Sequence, residues 1–159
     1  PDGERGEFCV KGPAVVKGYL NRPEATAEAI VDGYFSTGDI VYVDDDGFVH
    51  IVDRAKDMVL RGGENVYCAE VEAAIYEHPD IAEAAVFGVE DERLGEAVGV
   101  AIHLVSESTL DQAGLTAHLE PLLAKFKIPE HVWFLDEPLP QNANGKFLKR
   151  QLRESLTTG

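Results

Sequence analysis

The chain has 159 residues, with 14 Lys and Arg against 29 Asp and Glu, a formal net charge of −15, and 45% hydrophobic residues. Because contacts to phosphates need cations, this acidity argues against a dedicated nucleic-acid-binding protein and against binding to anionic membrane surfaces. No apolar run is long enough to span a bilayer, and the first residues lack the apolar region of a secretory signal peptide. The length suits one domain or two small ones.

The two cysteines, Cys9 and Cys68, are too few and too far apart for a metal cluster or a disulfide scaffold. A reducing cytoplasm is therefore the predicted compartment. The chain begins with the turn-like sequence Pro1-Asp2-Gly3, which is typical of the middle of a longer sequence. We therefore expect it to be part of a longer polypeptide.

The first third of the chain is rich in signals for strands and turns. Asp44-Asp45-Asp46-Gly47 predicts a hairpin turn, and a solvated turn is favoured over a calcium loop for its carboxylates. Pro23 stands at a first helical position, and Gly33 is the predicted end of that helix. The predicted elements are a strand over 7–11, a helix over 23–30, and strands over 39–43 and 48–52.

From residue 56 onward, strand and helix patterns are mixed. Val71, Ala74 and Ile75 share one face of a predicted helix, whereas Pro121 interrupts an apolar stripe and predicts a kink or a later start there. The predicted elements are an apolar run over 58–60, a helix over 69–77, strands over 81–89 and 97–105, a helix over 111–126, a strand over 132–135 and a helix over 147–156. This is an α+β or mixed α/β plan with a boundary near residues 53–56.

Four short segments contain residues suited to nucleotide chemistry, although each alone is also typical of an ordinary turn or solvated loop. The Asp39 carboxylate can accept hydrogen bonds from a ribose diol, and Arg54 suits a ribose or phosphate oxygen. The Gly62-Gly63 pair lets the backbone approach a ligand closely. Lys146, on a loop rich in Pro, Asn and Gly, can neutralise charge that develops on phosphate and carboxylate oxygens.

In their order and spacing, these segments resemble the adenylate-forming enzymes, which include acyl-CoA synthetases, peptide-synthetase adenylation domains and beetle luciferases. The matching motifs are Gly3-Glu4-Arg5-Gly6-Glu7 with Gly12-Pro13 and Gly18-Tyr19, Ser36-Thr37-Gly38-Asp39, Asp53-Arg54-Ala55-Lys56-Asp57, Gly62-Gly63-Glu64-Asn65-Val66-Tyr67 with Glu70-Val71-Glu72, and Asn144-Gly145-Lys146. Within the family, Asp-Arg-x-Lys-Asp followed by Gly-Gly-Glu-Asn is most similar to fatty-acid or aryl-acid CoA ligases.

The resemblance implies an α+β fold in two parts. Residues 1–55 would be the β-rich end of a large N-terminal AMP-binding domain, and residues 56–159 a complete C-terminal lid domain with a small mixed sheet flanked by helices. The implied reaction is the activation of a carboxylic acid, with a fatty acid expected, by ATP to an acyl-adenylate. Coenzyme A then takes the acyl group and AMP is released.

The resemblance also implies the site residues. Lys146 would be the catalytic residue that stabilises the adenylation transition state, and Lys56 would be the hinge whose backbone torsions change between the two reactions. The nucleotide-binding residues would be Asp39, Ile51, Arg54 and Lys146, and the residues near coenzyme A would be Gly62, Gly63 and Glu64.

The family's phosphate-binding loop and acyl pocket have no counterpart in these residues, and neither does its magnesium-binding segment. The substrates would thus be ATP, coenzyme A and a carboxylic acid, with Mg²⁺ held outside this chain, no metal ligand within it, and the missing N-terminal domain as a necessary partner. Alone, the chain is expected to be inactive. Lys146 also lies in a pattern that lysine acetyltransferases modify in relatives. Two alternatives stay open: a stand-alone, non-catalytic lid-like binding module, and an adenylation domain that loads a carrier protein.

Overall fold

In the computed structural model, which describes residues 3–157, the polypeptide divides into two units, Pro1–Lys56 and Asp57–Gly159. The turn expected at Pro1-Asp2-Gly3 lies largely outside the described residues. The first unit is an antiparallel sheet with one short helix, and the second is a mixed sheet with helices packed on it. The expected α+β class is confirmed.

The first unit has four strands in which the longest, β3, pairs with all the others. Its elements are β1 (Gly6–Val10), α1 (Pro23–Ala29), β2 (Ile30–Val31), β3 (Tyr34–Val43) and β4 (Val49–Arg54). In the described part of this unit, Val41 is the single buried apolar residue. Leu20, Phe48 and Ile51 are 89%, 67% and 71% exposed, so this unit has almost no core of its own.

The hairpin turn predicted at residues 44–47 is confirmed. The Asp44 carboxylate accepts hydrogen bonds from the backbone N–H groups of Asp46 and Phe48, at 3.1 and 2.8 Å, and pairs with His50 at 2.6 Å. Hydrogen bonding to His50, and then to the Phe48 N–H, lowers the pKa of Asp44. The carboxylate thus stabilises the turn from within.

The helix end predicted at Gly33 is wrong. Helix α1 ends at Ala29, and the chain continues directly into β2. Asp32 and Gly33, with φ of 51° and 78°, form the two-residue turn between β2 and β3. Positive φ at both central residues suits the twist of a tight hairpin, which is what the glycine supplies here.

The second unit has five strands in the order β6-β5-β8-β7, with β9 parallel to β8 and the other pairs antiparallel. The strands are β5 (Val59–Arg61), β6 (Glu64–Val66), β7 (Ile81–Asp91), β8 (Gly95–Leu104) and β9 (His131–Leu135). The helices are α2 (Cys68–Tyr76), α3 (Gln112–Leu119) and α4 (Lys149–Thr157), with a 3₁₀ turn at Lys125–Lys127.

The helix predicted over 111–126 is only half as long as expected. Asp111 caps the start of α3 by accepting a hydrogen bond from the Gly114 N–H at 2.8 Å, but the helix ends at Leu119. Pro121 follows two residues later and cannot donate the hydrogen bond that a continuing helix needs. The prolyl ring therefore ends the helix rather than kinking it.

The core of the second unit lies on both faces of its sheet. On one face, α2 and α3 bury their apolar sides against alternate residues of β7 and β8, and the predicted face of Val71, Ala74 and Ile75 is buried there. On the other face, α4 and Leu139 pack on the intervening residues. Burial on both sides explains why β7 and β8 are apolar almost throughout. In the described part of the chain, no helix is long and apolar enough to cross a membrane.

Candidate functional site

Asp39 and Arg54, predicted separately, form an ion pair at one end of the β3–β4 hairpin. The Arg54 Nε lies 3.1 Å from the Asp39 Oδ1, and both side chains are partly exposed, at 48% and 23%. At the residues next to them in the chain, the Ala55 N–H donates a hydrogen bond to the Gly38 carbonyl at 2.8 Å. The pair therefore presents a carboxylate beside a guanidinium at a fixed and accessible position.

A β-bulge produces this pairing. Val43 pairs with Val49 and Val41 with Ile51, a register that, if continued, would place Asp53 opposite Asp39. The register shifts by one residue between Ile40 and Val41, so Asp39 lies opposite Arg54 instead. An acidic pair is thereby replaced by an ion pair, which is the kind of local redirection that bulges near functional sites provide.

Ile51 and Lys56, the other site residues predicted in the first unit, lie close to Arg54 along the chain but are not part of this ion pair. Ile51 is 71% exposed on β4, and Lys56 is exposed in the turn that ends this unit. An open cleft of about 520 Å³ adjoins Thr37 and Gly38. It is also lined by three charged residues: Glu7, which lies in the first matching motif, and Arg22 and Glu28, which the sequence motifs did not single out.

Gly62 and Gly63 form the tight turn between β5 and β6, closed by the pairing of Arg61 with Glu64. Their φ angles are 59° and 90°, so both occupy the left-handed region that favours glycine. The Gly62 N–H donates to the Leu94 carbonyl at 2.7 Å, which fixes the turn to the β7–β8 connection. A Cβ atom at Gly63 would meet nothing within 4 Å, so its outer side is open to a ligand.

Lys146 is exposed on a closed loop organised by Asn142. The Asn142 Oδ1 accepts hydrogen bonds from the N–H groups of Asn144 and Lys146, at 2.9 and 3.0 Å, and the Asn142 N–H donates to the Lys146 carbonyl at 2.9 Å. Gly145 has a φ of 76°, and Gln141 pairs with Phe147 at the neck of the loop. The loop is thus internally bonded, with the lysine near its C-terminal end.

Two glutamates to which the sequence analysis gave no role anchor this segment. Glu72 lies within the matching motif Glu70-Val71-Glu72, whereas Glu83 lies in no motif. Glu83 on β7 binds the N-terminal side of the loop, through Leu139 and Gln141. Glu72 on α2 pairs with Lys149 at 2.8 Å and also accepts a hydrogen bond from the Val86 N–H at 2.8 Å. A charged residue inside the apolar run of β7 is the sequence signal that singles out Glu83.

The pKa of the partly buried Lys149 is raised. Desolvation by itself lowers its pKa, but the negative charge of Glu72 opposes this most strongly, with smaller contributions from Cys68 and Asp57, so the pKa is raised overall. Lys149 is the first residue of α4, and the ion pair therefore fixes the start of this helix to α2.

The predicted site residues thus lie in three places. Asp39, Ile51 and Arg54 belong to the hairpin of the first unit, with Lys56 at its end, whereas Gly62–Glu64 and Lys146 occupy two different loops of the second. Among the described residues, only Asp39 and Arg54 of the predicted set are joined by an ion pair.

Comparison with known proteins identifies a known domain in the second unit. Residues 70–146 match the family model of the AMP-binding enzyme C-terminal domain. The chain is 51% identical over 153 residues to the 2-succinylbenzoate–CoA ligase of Geobacillus kaustophilus. This match covers 96% of this chain and 31% of that relative. It is 49% identical over 154 residues to a feruloyl-CoA synthase from an Amycolatopsis species, with coverages of 96% and 31%.

A solved structure shows the same fold. ATP-bound MatB from Rhodopseudomonas palustris matches with a TM-score of 0.91 and 42% identity, over 99% of this chain and 31% of that one. The chain therefore spans about a third of the length of the proteins it matches, 31% in each case.

The fatty-acid preference expected from the motifs is not supported, because the two curated relatives are named for acids that contain an aromatic ring. The more general expectation is confirmed. The matched domain, the fold and these relatives show that the chain belongs to the adenylate-forming, AMP-binding enzymes, of which it forms a C-terminal portion.

Proposed function

We propose that the protein to which this chain belongs is an AMP-forming acid–thiol ligase. A substrate carboxylate oxygen attacks the α-phosphorus of ATP and pyrophosphate leaves, which gives an acyl-adenylate. The thiol of coenzyme A then attacks the acyl carbon, and AMP leaves with the electron pair of the broken C–O bond. The observation that carries this proposal is the ordered, exposed presentation of Lys146 at the end of the matched domain.

The first unit supplies nucleotide contacts in this proposal. The Asp39 carboxylate accepts hydrogen bonds from the ribose hydroxyls, and Arg54, already oriented by Asp39, contacts the same ribose. Ile51 offers an exposed apolar surface to the nucleotide. Residues 1–55 would be the end of the large AMP-binding domain and residues 56–159 the lid domain. Lys56 would be the hinge, and its backbone torsions would change between the two half-reactions.

The second unit supplies the groups that change between the steps. Lys146 stabilises the charge that develops on phosphate and carboxylate oxygens during adenylation. The open turn of Gly62 and Gly63, with exposed Glu64, approaches the pantetheine arm of coenzyme A during thioester formation. The described residues contain no group of three or more side chains that could hold a metal ion.

We infer a carboxylic acid with an aromatic ring as the first substrate class to test, since both curated relatives are named for such acids. The test is carboxylate-dependent exchange of pyrophosphate into ATP by the full-length protein, with aryl acids and fatty acids of matched size. Exchange with at least one acid is expected, and its absence with every acid would contradict the proposal. Adding coenzyme A or a carrier protein to the active pair then identifies the acceptor.

Substitution of Gly63 by alanine is expected to slow thioester formation about tenfold, while adenylation is retained, because a methyl group would enter the space left for the pantetheine arm. Gly47→Ala is the matched control, since Gly47 has a similar φ, 85° against 90°, and equally open surroundings. Single-turnover transfer from supplied acyl-adenylate to coenzyme A measures the effect. An equal loss in both variants would indicate backbone strain and not a role at the acceptor.

The alternative of a stand-alone binding module makes a different prediction for the first unit, whose apolar side chains are widely exposed. Such a module would be monomeric as residues 1–159, whereas a part of a larger enzyme should self-associate through these surfaces.

The proposal that a lysine acetyltransferase modifies Lys146 rests on the sequence pattern. Acetylation would remove the charge on which adenylation depends, and mass spectrometry of the native protein tests for it.

A further inference from the structure

The base of the Lys146 loop is bound by a single carboxylate from the sheet. The half-buried Glu83 accepts a hydrogen bond from the Leu139 N–H at 2.6 Å through Oε2, and one from the Gln141 Nε2 at 3.0 Å through Oε1. Both donors precede the loop directly, so both carboxylate oxygens are used on the same short segment. Hydrogen bonds to an ionised acceptor are stronger than those between neutral groups.

The position of Glu83 is prepared by the strand that bears it. The pairing of β7 with β8 shifts register between Ile81 and Glu83, and elsewhere it is regular to Asp91. Such an irregularity changes the direction of the side chains next to it. Glu83 thus departs from the apolar pattern of β7 at the place where the strand itself is irregular.

The burial of Leu139 requires an acceptor for its backbone N–H. Its side chain is 3% exposed and belongs to the cluster that contains Phe87 and Leu152. A backbone N–H in such surroundings needs a partner, since an unpaired buried donor is costly. Glu83 provides this partner. Leu139 is therefore held both by its buried side chain and by the hydrogen bond from its N–H to the Glu83 carboxylate.

The C-terminal end of the segment is also fixed. The Leu148 N–H donates to the Pro140 carbonyl at 2.8 Å, and Lys149 pairs with Glu72 at 2.8 Å. Between these two anchors, the internal bonds of Asn142 close the loop and place Lys146 at its end. Because Lys149 stays paired with Glu72, loss of the Glu83 carboxylate would loosen the loop at its N-terminal side, where the Leu139 N–H and the Gln141 amide lose their acceptor.

We propose that Glu83 is a positioning residue for Lys146: it holds the base of the loop so that the lysine is presented in an ordered conformation. It touches neither substrate nor reacting atoms and acts through Leu139 and Gln141. The ordering of the loop follows from this chain alone, whereas its effect on catalysis rests on the adenylation role proposed for Lys146.

The ordering is tested in the full-length protein by hydrogen exchange of individual amides. In Glu83→Ala, exchange at Leu139 and Lys146 should rise about tenfold or more, while amides in α2 stay protected. Glu83→Gln, which has the same shape and keeps one acceptor oxygen, should give an intermediate rise. Glu90→Ala, at an exposed position of the same strand, is the control and should change neither amide. Unchanged exchange at Leu139 and Lys146 in Glu83→Ala would overturn the proposal.

The catalytic consequence is tested in the full-length protein. Glu83→Ala should lower the kcat of adenylation about tenfold with little change in KM for ATP, and it should leave transfer from supplied acyl-adenylate unchanged. Glu83→Gln should recover part of the loss. Faster amide exchange with unchanged adenylation, in a protein where Lys146→Ala slows adenylation strongly, would overturn the positioning role. If the unsubstituted protein adenylated no acid, the proposed function would fail, and amide exchange would still decide whether Glu83 orders the loop.

Discussion

Replacement of Lys146 by alanine in the full-length protein is expected to lower the rate of acyl-adenylate formation by about 10²–10³-fold, the usual effect of removing one charge-stabilising donor from a transition state. The loop itself should persist, because Asn142 binds the backbone N–H and carbonyl of residue 146 and not its side chain. The substitution therefore removes the ammonium group while keeping the fold that presents it. Rapid-quench measurement of adenylate formed in a single turnover gives the rate.

The same variant should form thioester from supplied acyl-adenylate at close to the normal rate, since Lys146 is assigned to the first step only. Lys125→Ala, which removes another exposed lysine of the second unit, is the control and should keep normal adenylation. Equal losses in both half-reactions of Lys146→Ala would contradict the assigned role. They would point instead to a general effect on the lid domain.

The local elements of this fold follow from short sequence patterns. The hairpin turn at residues 44–47 and the buried face of α2 depend on residues close together in the chain, so composition and periodicity predict them. Helix α3 shows the limit of such reasoning. The apolar stripe continues beyond Leu119, but a proline at position 121 ends the helix, and the remaining apolar residues are used in a 3₁₀ turn and loop.

The arrangement of the site depends on contacts that no local pattern contains. Asp39 faces Arg54 only because a bulge shifts the register of β3 and β4 by one residue. Glu83 meets Leu139 across 56 positions of sequence, through the packing of a loop on the far face of the sheet. The motifs identify which residues have the right chemistry, whereas strand register and tertiary packing determine which of them meet.

Leu119→Ala is expected to lower the free energy of unfolding of the second unit by about 2–5 kcal/mol, because it removes a fully buried side chain and leaves a cavity. Leu119 is 0% exposed at the end of α3, in the cluster that also includes Val71 and Ile75. Urea unfolding of residues 1–159, followed by tryptophan fluorescence, measures the change. Trp133 is the single tryptophan of the chain and stacks on Phe87 with ring centroids 5.8 Å apart, so its signal reports on the second unit.

Leu122→Ala is the matched control, as it makes the same change three residues further on at a side chain that is 42% exposed. It should cost about 1 kcal/mol or less, in proportion to the smaller apolar area that it removes from contact. A large difference between the two variants would locate the stability of this unit in the layer that α2 and α3 form on the sheet. Equal costs would mean that this layer is loosely packed and that the other face, where α4 and the base of the Lys146 loop lie, holds the unit together.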